Sequence, residues 1–175
     1  TGTIVLDNLN TDDLNSVSKT ITSTTTLTIS NGGFRYGGND ITITNNGSIT
    51  LGDDLDAGGR SNVTWTNGTN ATLVIGDAVK NATNLTLTAS ASGNTVSYTS
   101  SDAETIFDTD GSVYHHLTLA NGTFSLPAKL TINGNMTQSS GTFTTTISDH
   151  ALDLKGDLTV TGTFTANSST VSVIG

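Results

Sequence analysis

Tyr114, His115 and His116 stand side by side in a chain of 175 residues that has only three histidines. Imidazole can ligate a metal or carry a proton near neutral pH, so this is where chemistry is sought first. On an extended strand, Val113, His115, Leu117 and Leu119 share one face while Tyr114, His116 and Thr118 share the other. Adjacent histidines on such a strand diverge, and a metal pair on a strand needs i,i+2 spacing and a third ligand. The remaining histidine, His150, is distant in sequence. The reading is structural: His115 lies on the apolar face, where a ring nitrogen is expected to find a backbone partner.

Carboxylates are the next candidates. Asp and Glu total 15 against six Lys and Arg, for a formal charge of −9, and a single Glu, Glu104, is present. The stretch Asp108-Thr-Asp110-Gly resembles the opening of a calcium loop, but Ser-Val-Tyr-His-His-Leu follows where further oxygen ligands belong. Asp53, Asp54 and Asp56 form a second acidic turn, Asp12 and Asp13 a third. Calcium at Asp108 and Asp110, or at Asp53, Asp54 and Asp56, is the one cofactor this pattern suggests. The plainer reading is a solvated turn whose carboxylates cap backbone N–H groups. Carbohydrate-cleaving enzymes gather carboxylates with basic residues in a groove; here Arg35, Arg60 and four Lys are scattered. No G-x-S-x-G elbow occurs, Glu104 has no acid–base partner nearby in sequence, and cysteine is absent. The sequence therefore reads as non-enzymatic.

Three surface patterns remain. Thr-x-Thr tripeptides occur at 20–22, 22–24, 24–26, 26–28, 42–44, 64–66, 86–88, 142–144, 144–146, 159–161, 161–163 and 163–165. An ice-binding array would need one per coil in register, and along the sequence they cluster and skip. Nine N-x-S/T glycosylation acceptors begin at Asn46, Asn62, Asn67, Asn70, Asn81, Asn84, Asn121, Asn135 and Asn167. Phe34, Phe124, Phe143 and Phe164 follow Gly-containing turns and fit a stacked interior. Trp65 beside Arg60 could form a recognition patch, but core packing is the expected role.

The elements that would position these residues are strands. Thirty-six Thr, 17 Asn and 19 Gly against one Pro and one Glu leave little for helices. Short runs alternate Thr or Ser with Leu, Ile or Val and are separated by Asn/Gly turns. Gly-Thr-Phe recurs at 122, 141 and 162, and Leu130–Thr137 matches Leu152–Thr159. A period near 20 residues with strands of four to six predicts an all-β parallel β-helix, a β-solenoid with coils of about 20 residues. An antiparallel β-sandwich or jelly roll is the alternative. Leu27–Phe34 matches Leu117–Phe124, Ile49–Asp56 resembles Leu152–Thr159, and Val-Ile-Gly recurs at 74 and 173. Two solenoid halves, 1–76 and 77–175, continuous as one domain, are the expected organisation.

Residues 92–175, with the blocks Tyr-His-His-Leu-Thr-Leu, Leu-Lys-Gly-Asp-Leu-Thr-Val-Thr-Gly-Thr-Phe-Thr and Ser-Thr-Val-Ser-Val-Ile-Gly, resemble Thr/Asn/Gly-rich repeat arrays of secreted bacterial surface proteins. Residues 20–76 do so more loosely. Those arrays are similar to adhesin and autotransporter-passenger parallel β-helices. The resemblance implies a right-handed coil with a structural or adhesive role and carries over no catalytic residue.

Six basic residues are too few to track a phosphate backbone, so no nucleic-acid partner is expected. No apolar run reaches the roughly 18 residues of a membrane span. The chain opens at Thr1 and not at Met, which together with its Lys- and Glu-poor composition points to a processed or excised segment outside the cell. Both ends read as strands without polar caps. Head-to-tail self-association is therefore expected, Thr1, Gly2, Thr3, Ile4, Val5 and Leu6 meeting Ser169, Thr170, Val171, Ser172, Val173 and Ile174 of a neighbour. The function this implies is a subunit of a self-assembling surface filament or stalk. An adhesin or carbohydrate-binding module that meets a surface glycan is the alternative; an ice-binding protein and a polysaccharide-active enzyme are the lesser ones.

Overall fold

A computed structural model describes residues 2–6, 18–127, 129–145 and 150–174. Side chains that alternate β-branched and aliphatic residues need two faces, one dry and one wet, and a coil whose walls all look inward provides them. The chain is a parallel β-solenoid of about seven turns. A long sheet runs its full length: β1 (Gly2–Leu6), β3 (Thr25–Ile29), β6 (Ser48–Leu51), β9 (Thr72–Ile75), β12 (Thr95–Tyr98), β15 (His116–Leu119), β18 (Met136–Gln138) and β21 (Leu158–Val160). Every pairing in it is parallel, so each strand returns only after a full turn.

Two further walls complete each coil, and each is made of two sheets. In the early coils the second wall is β4 (Phe34–Arg35), β7 (Leu55–Asp56) and β10 (Val79–Lys80), and the third is β2 (Lys19–Ile21), β5 (Thr42–Asn45), β8 (Val63–Asn67) and β11 (Leu85–Thr88). In the later coils the second wall is β13 (Ala103–Thr105), β16 (Thr123–Ser125), β19 (Thr142–Thr144) and β22 (Thr163–Thr165). Their third wall is β14 (Val113–Tyr114), β17 (Leu130–Ile132), β20 (Ala151–Leu154) and β23 (Thr170–Val173). The changeover is a seam. β10 and β13 belong to separate sheets, and the third walls join through the single bridge Ala89–Tyr114.

The register follows Leu27, Ile49, Leu73, Val96, Leu117, Met136 and Leu158, steps of 22, 24, 23, 21, 19 and 22 residues. The Gly-Thr-Phe repeat gives the true register, since Thr123 pairs with Thr142 and Thr142 with Thr163. The same holds for Leu130 with Leu152. The other similarity misleads. Ile49–Leu51 lies in the long sheet, whereas Leu152–Leu154 lies in the third wall, so the matching strings occupy different walls.

Inward side chains form one continuous core in which Trp65, Leu73, Leu117, Phe124, Leu130 and Leu154 are fully buried. Turns at the corners demand glycine where coils approach closely. A Cβ on Gly33 would lie 2.2 Å from the Asp54 carbonyl oxygen, and one on Gly52 2.1 Å from that of Ser30.

Candidate functional site

The histidines sit at a corner and not on a straight strand. The expected strand Val113–Leu119 is broken at His115: β14 belongs to the third wall and β15 to the long sheet. Turning that corner brings the two rings together, with centroids 4.3 Å apart and planes at 75°. This corrects the expectation of divergent histidines, which assumed an unbroken period of two. His116 Nδ1 accepts the backbone N–H of Asn135 at 2.8 Å, which fixes its proton on Nε2. His115 Nδ1 is buried and finds no hydrogen-bond partner among the described residues, contrary to expectation. Both rings fill the space left by Gly134, where a Cβ would lie 2.5 Å from His116 Cε1 and 2.9 Å from His115 Nδ1. Burial, and secondarily the neighbouring His116, hold the His115 imidazole below its ordinary value.

The adjacent phenols are also structural. Tyr98 and Tyr114 share a 3.0 Å hydrogen bond, Tyr114 donates to the Phe107 carbonyl at 2.8 Å, and Phe107 N–H donates to Tyr98 Oη at 3.3 Å. Burial pushes Tyr98 up to about 12, so neither phenol serves as a base at neutral pH.

The acidic turns regroup across coils. Asp53 and Asp54 are joined by Asp77 of the next coil, with one oxygen of each within 4.8 Å of the others. Asp56 is engaged elsewhere: it accepts Gly58 N–H at 2.8 Å and pairs with Arg35 at 3.4 Å. Asp53, Asp54 and Asp56 line one cleft with Arg35, but it is Asp77 that brings a carboxylate oxygen within 4.8 Å of both Asp53 and Asp54. A cation is already there, because Lys80 Nζ lies 2.5 Å from Asp54 and 3.8 Å from Asp77. Burial pushes the Asp54 carboxyl up while the Lys80 ammonium opposes it. Asp108 and Asp110 are exposed beside a short turn closed by Thr109, whose hydroxyl accepts Val113 N–H at 2.8 Å. No third carboxylate joins them among the described residues. Asp12 and Asp13 lie outside the described residues.

Asparagine has a role that the sequence reading missed. Asn45, Asn67 and Asn94 are fully buried and stacked at successive corners before the long sheet. Asn45 Nδ2 donates to Asn67 Oδ1 at 2.7 Å and Asn67 Nδ2 to Asn94 Oδ1 at 3.4 Å. Asn45 Oδ1 accepts Gly47 N–H at 3.0 Å and Asn94 Nδ2 donates to the Ala89 carbonyl at 3.1 Å. Glycosylation at Asn67 is thereby corrected, since its amide is enclosed and bonded. Asn62, Asn70, Asn81, Asn84, Asn121, Asn135 and Asn167 are exposed, and Asn46 is half-buried. The signal available was the recurrence of an Asn one or two residues before Gly or Thr at three successive coil starts, Asn45, Asn67 and Asn94. Trp65 is fully buried with Phe34 edge-on at 5.5 Å, which removes it from any recognition patch.

Five of the Thr-x-Thr tripeptides fall in register in two short runs, 42–44, 64–66 and 86–88 in the early third wall and 142–144 and 163–165 in the later second wall, a local order that spacing along the sequence hides. In the third wall Thr42 pairs with Thr64 and Thr64 with Thr86, while Thr20, Thr44, Thr66 and Thr88 form a parallel column. In the later second wall Thr123, Thr142 and Thr163 pair in one column, and Ser125, Thr144 and Thr165 in another. Inward residues between them are Ile43, Trp65 and Leu87 in one wall, Phe124, Phe143 and Phe164 in the other.

At the last coil β21, β22 and β23 each have a strand neighbour on one side only. Val160, Val173 and Ile174 are 39%, 52% and 66% exposed there. No family model, curated protein or solved structure matches this chain. No helix among the described residues is long and apolar enough to cross a membrane.

Proposed function

We propose that the chain is a non-enzymatic, extracellular structural module that extends coil upon coil by stacking on a second copy, as the subunit of a surface filament or stalk. The observation that supports this is the unbroken parallel stacking of about seven coils on one continuous core, a register that each described coil passes on to the next. The edge of a parallel coil accepts a further parallel strand, which is how a stack of this kind extends. Wall continuity changes the pairing expected from sequence. β1 is in the long sheet and β23 in the third wall, so these two do not meet when one coil is stacked in register on another. The in-register pairs are β21 on β1 and β23 on β2, a heterologous contact that propagates as a fibre. A Thr/Asn/Gly-rich composition with scarce Lys and Glu supports a place outside the cell.

Sedimentation and negative-stain imaging of the purified chain test the reading. Concentration-dependent rods are expected, and Val160→Lys with Val173→Lys should leave monomers with an unchanged melting temperature. A wild-type chain that stays monomeric at every concentration refutes it. Retention on immobilised glycans in that same monomer would move the assignment to a carbohydrate-binding module.

A further inference from the structure

We propose that the early third wall, β5–β8–β11, is an ice-binding face. Its outward positions are six threonines in two columns and three ranks: Thr42 and Thr44, Thr64 and Thr66, Thr86 and Thr88. Thr20 extends one column by a further rank. The residue between each pair is apolar and buried, Ile43, Trp65 and Leu87, so every rank is backed by the rigid core. None of the six hydroxyls has a side-chain hydrogen-bond partner among the described residues, which leaves them to bond water. β-Branching restricts χ1, which limits the positions that hydroxyl and methyl take along a column of threonines.

Two repeats then follow from strand geometry alone: about 4.8 Å between coils and about 6.7 Å between residues i and i+2. A two-dimensional grid of neutral hydroxyls and methyls at these two repeats is a regular template for a periodic layer of ordered water. A face that presents neutral hydroxyls and methyls on that lattice orders water without a charge to disrupt it. The residues of the three full ranks carry no charge, Lys19 standing only in the additional rank of Thr20, unlike the later third wall, where Lys129 and Asp153 form a 2.8 Å ion pair. The long sheet is less regular, its outer column passing from Thr72 and Thr95 to His116. Aromatic platforms of the kind that stack on sugar rings are absent from the six positions, which favours ice over a polysaccharide surface.

The test uses the monomeric fraction, so its result is independent of end-to-end stacking. Ice recrystallisation and ice-crystal habit are measured for the wild type, Thr64→Tyr, Thr86→Lys and Thr131→Tyr, with melting temperature as the check on folding. The wild type and Thr131→Tyr should slow recrystallisation and facet the crystals, while Thr64→Tyr and Thr86→Lys should fall to the level of buffer. Thr86 is exposed and its substitution does not touch the core, so it stands if Thr64→Tyr unfolds. A wild type no better than an unrelated protein overturns the proposal. So do active Thr64→Tyr and Thr86→Lys variants, or a folded Thr131→Tyr that loses activity.

Discussion

At the scale of single residues, the His115–His116 corner shows how a wall boundary changes side-chain meaning. Alternation is legible only along a straight strand, and the sequence gives no sign that the chain turns at His115. His115 is held below its ordinary value of 6.5 by burial and by His116. Its neutral form therefore contributes stability fully above pH 6.5, and that contribution is lost as pH falls through the lower folded-state value. Urea midpoints between pH 8 and 5 should decline on the acid side for the wild type, and His115→Phe should flatten that part of the profile. Gly134→Ala tests the same corner sterically. Its Cβ meets the His116 ring at 2.5 Å, so the Asn135 bond should be lost at a cost of about 1–3 kcal/mol, measured by urea unfolding.

At the scale of elements, strand existence was largely legible and wall assignment was not. Ser48–Leu51, Thr72–Ile75 and Ala151–Leu154 stand as the pattern of alternation predicts. The two-residue strands Phe34–Arg35, Leu55–Asp56 and Val79–Lys80 are too short to show a period, yet they close the second wall of the early coils. Buried asparagines look like turn residues in a sequence because both roles use the same amide chemistry. The difference is the neighbour one coil away. Asn67→Ala leaves Asn45 Nδ2 without its 2.7 Å acceptor in a dry corner. It should destabilise the chain by about 1–3 kcal/mol, read as a lower urea midpoint, whereas alanine at exposed Asn70 should change little.

For the whole molecule, the period near 20 was legible because the later coils repeat Gly-Thr-Phe at constant wall position. Early coils of 22 to 24 residues carry longer corners and hide the same period. Coil stacks are coupled only to their neighbours, so stability is a sum of unit and interface contributions. The seam between the coils that start at Thr72 and Thr95 has a full ladder in the long sheet, one bridge in the third wall and no strand pairing in the second. Glu104 borders it, pushed up by burial and then by Asp77 across the seam. That penalty is present above its folded value and is relieved on acidification. The seam is thus a place where cooperativity breaks, and the molecule should melt as two blocks. Fluorescence of Trp65, on the early side, should report an unfolding transition distinct from that of far-ultraviolet circular dichroism at neutral pH. Glu104→Gln should draw the two curves together. Coincident curves for the wild type would mean that the long sheet alone transmits folding from one block to the other.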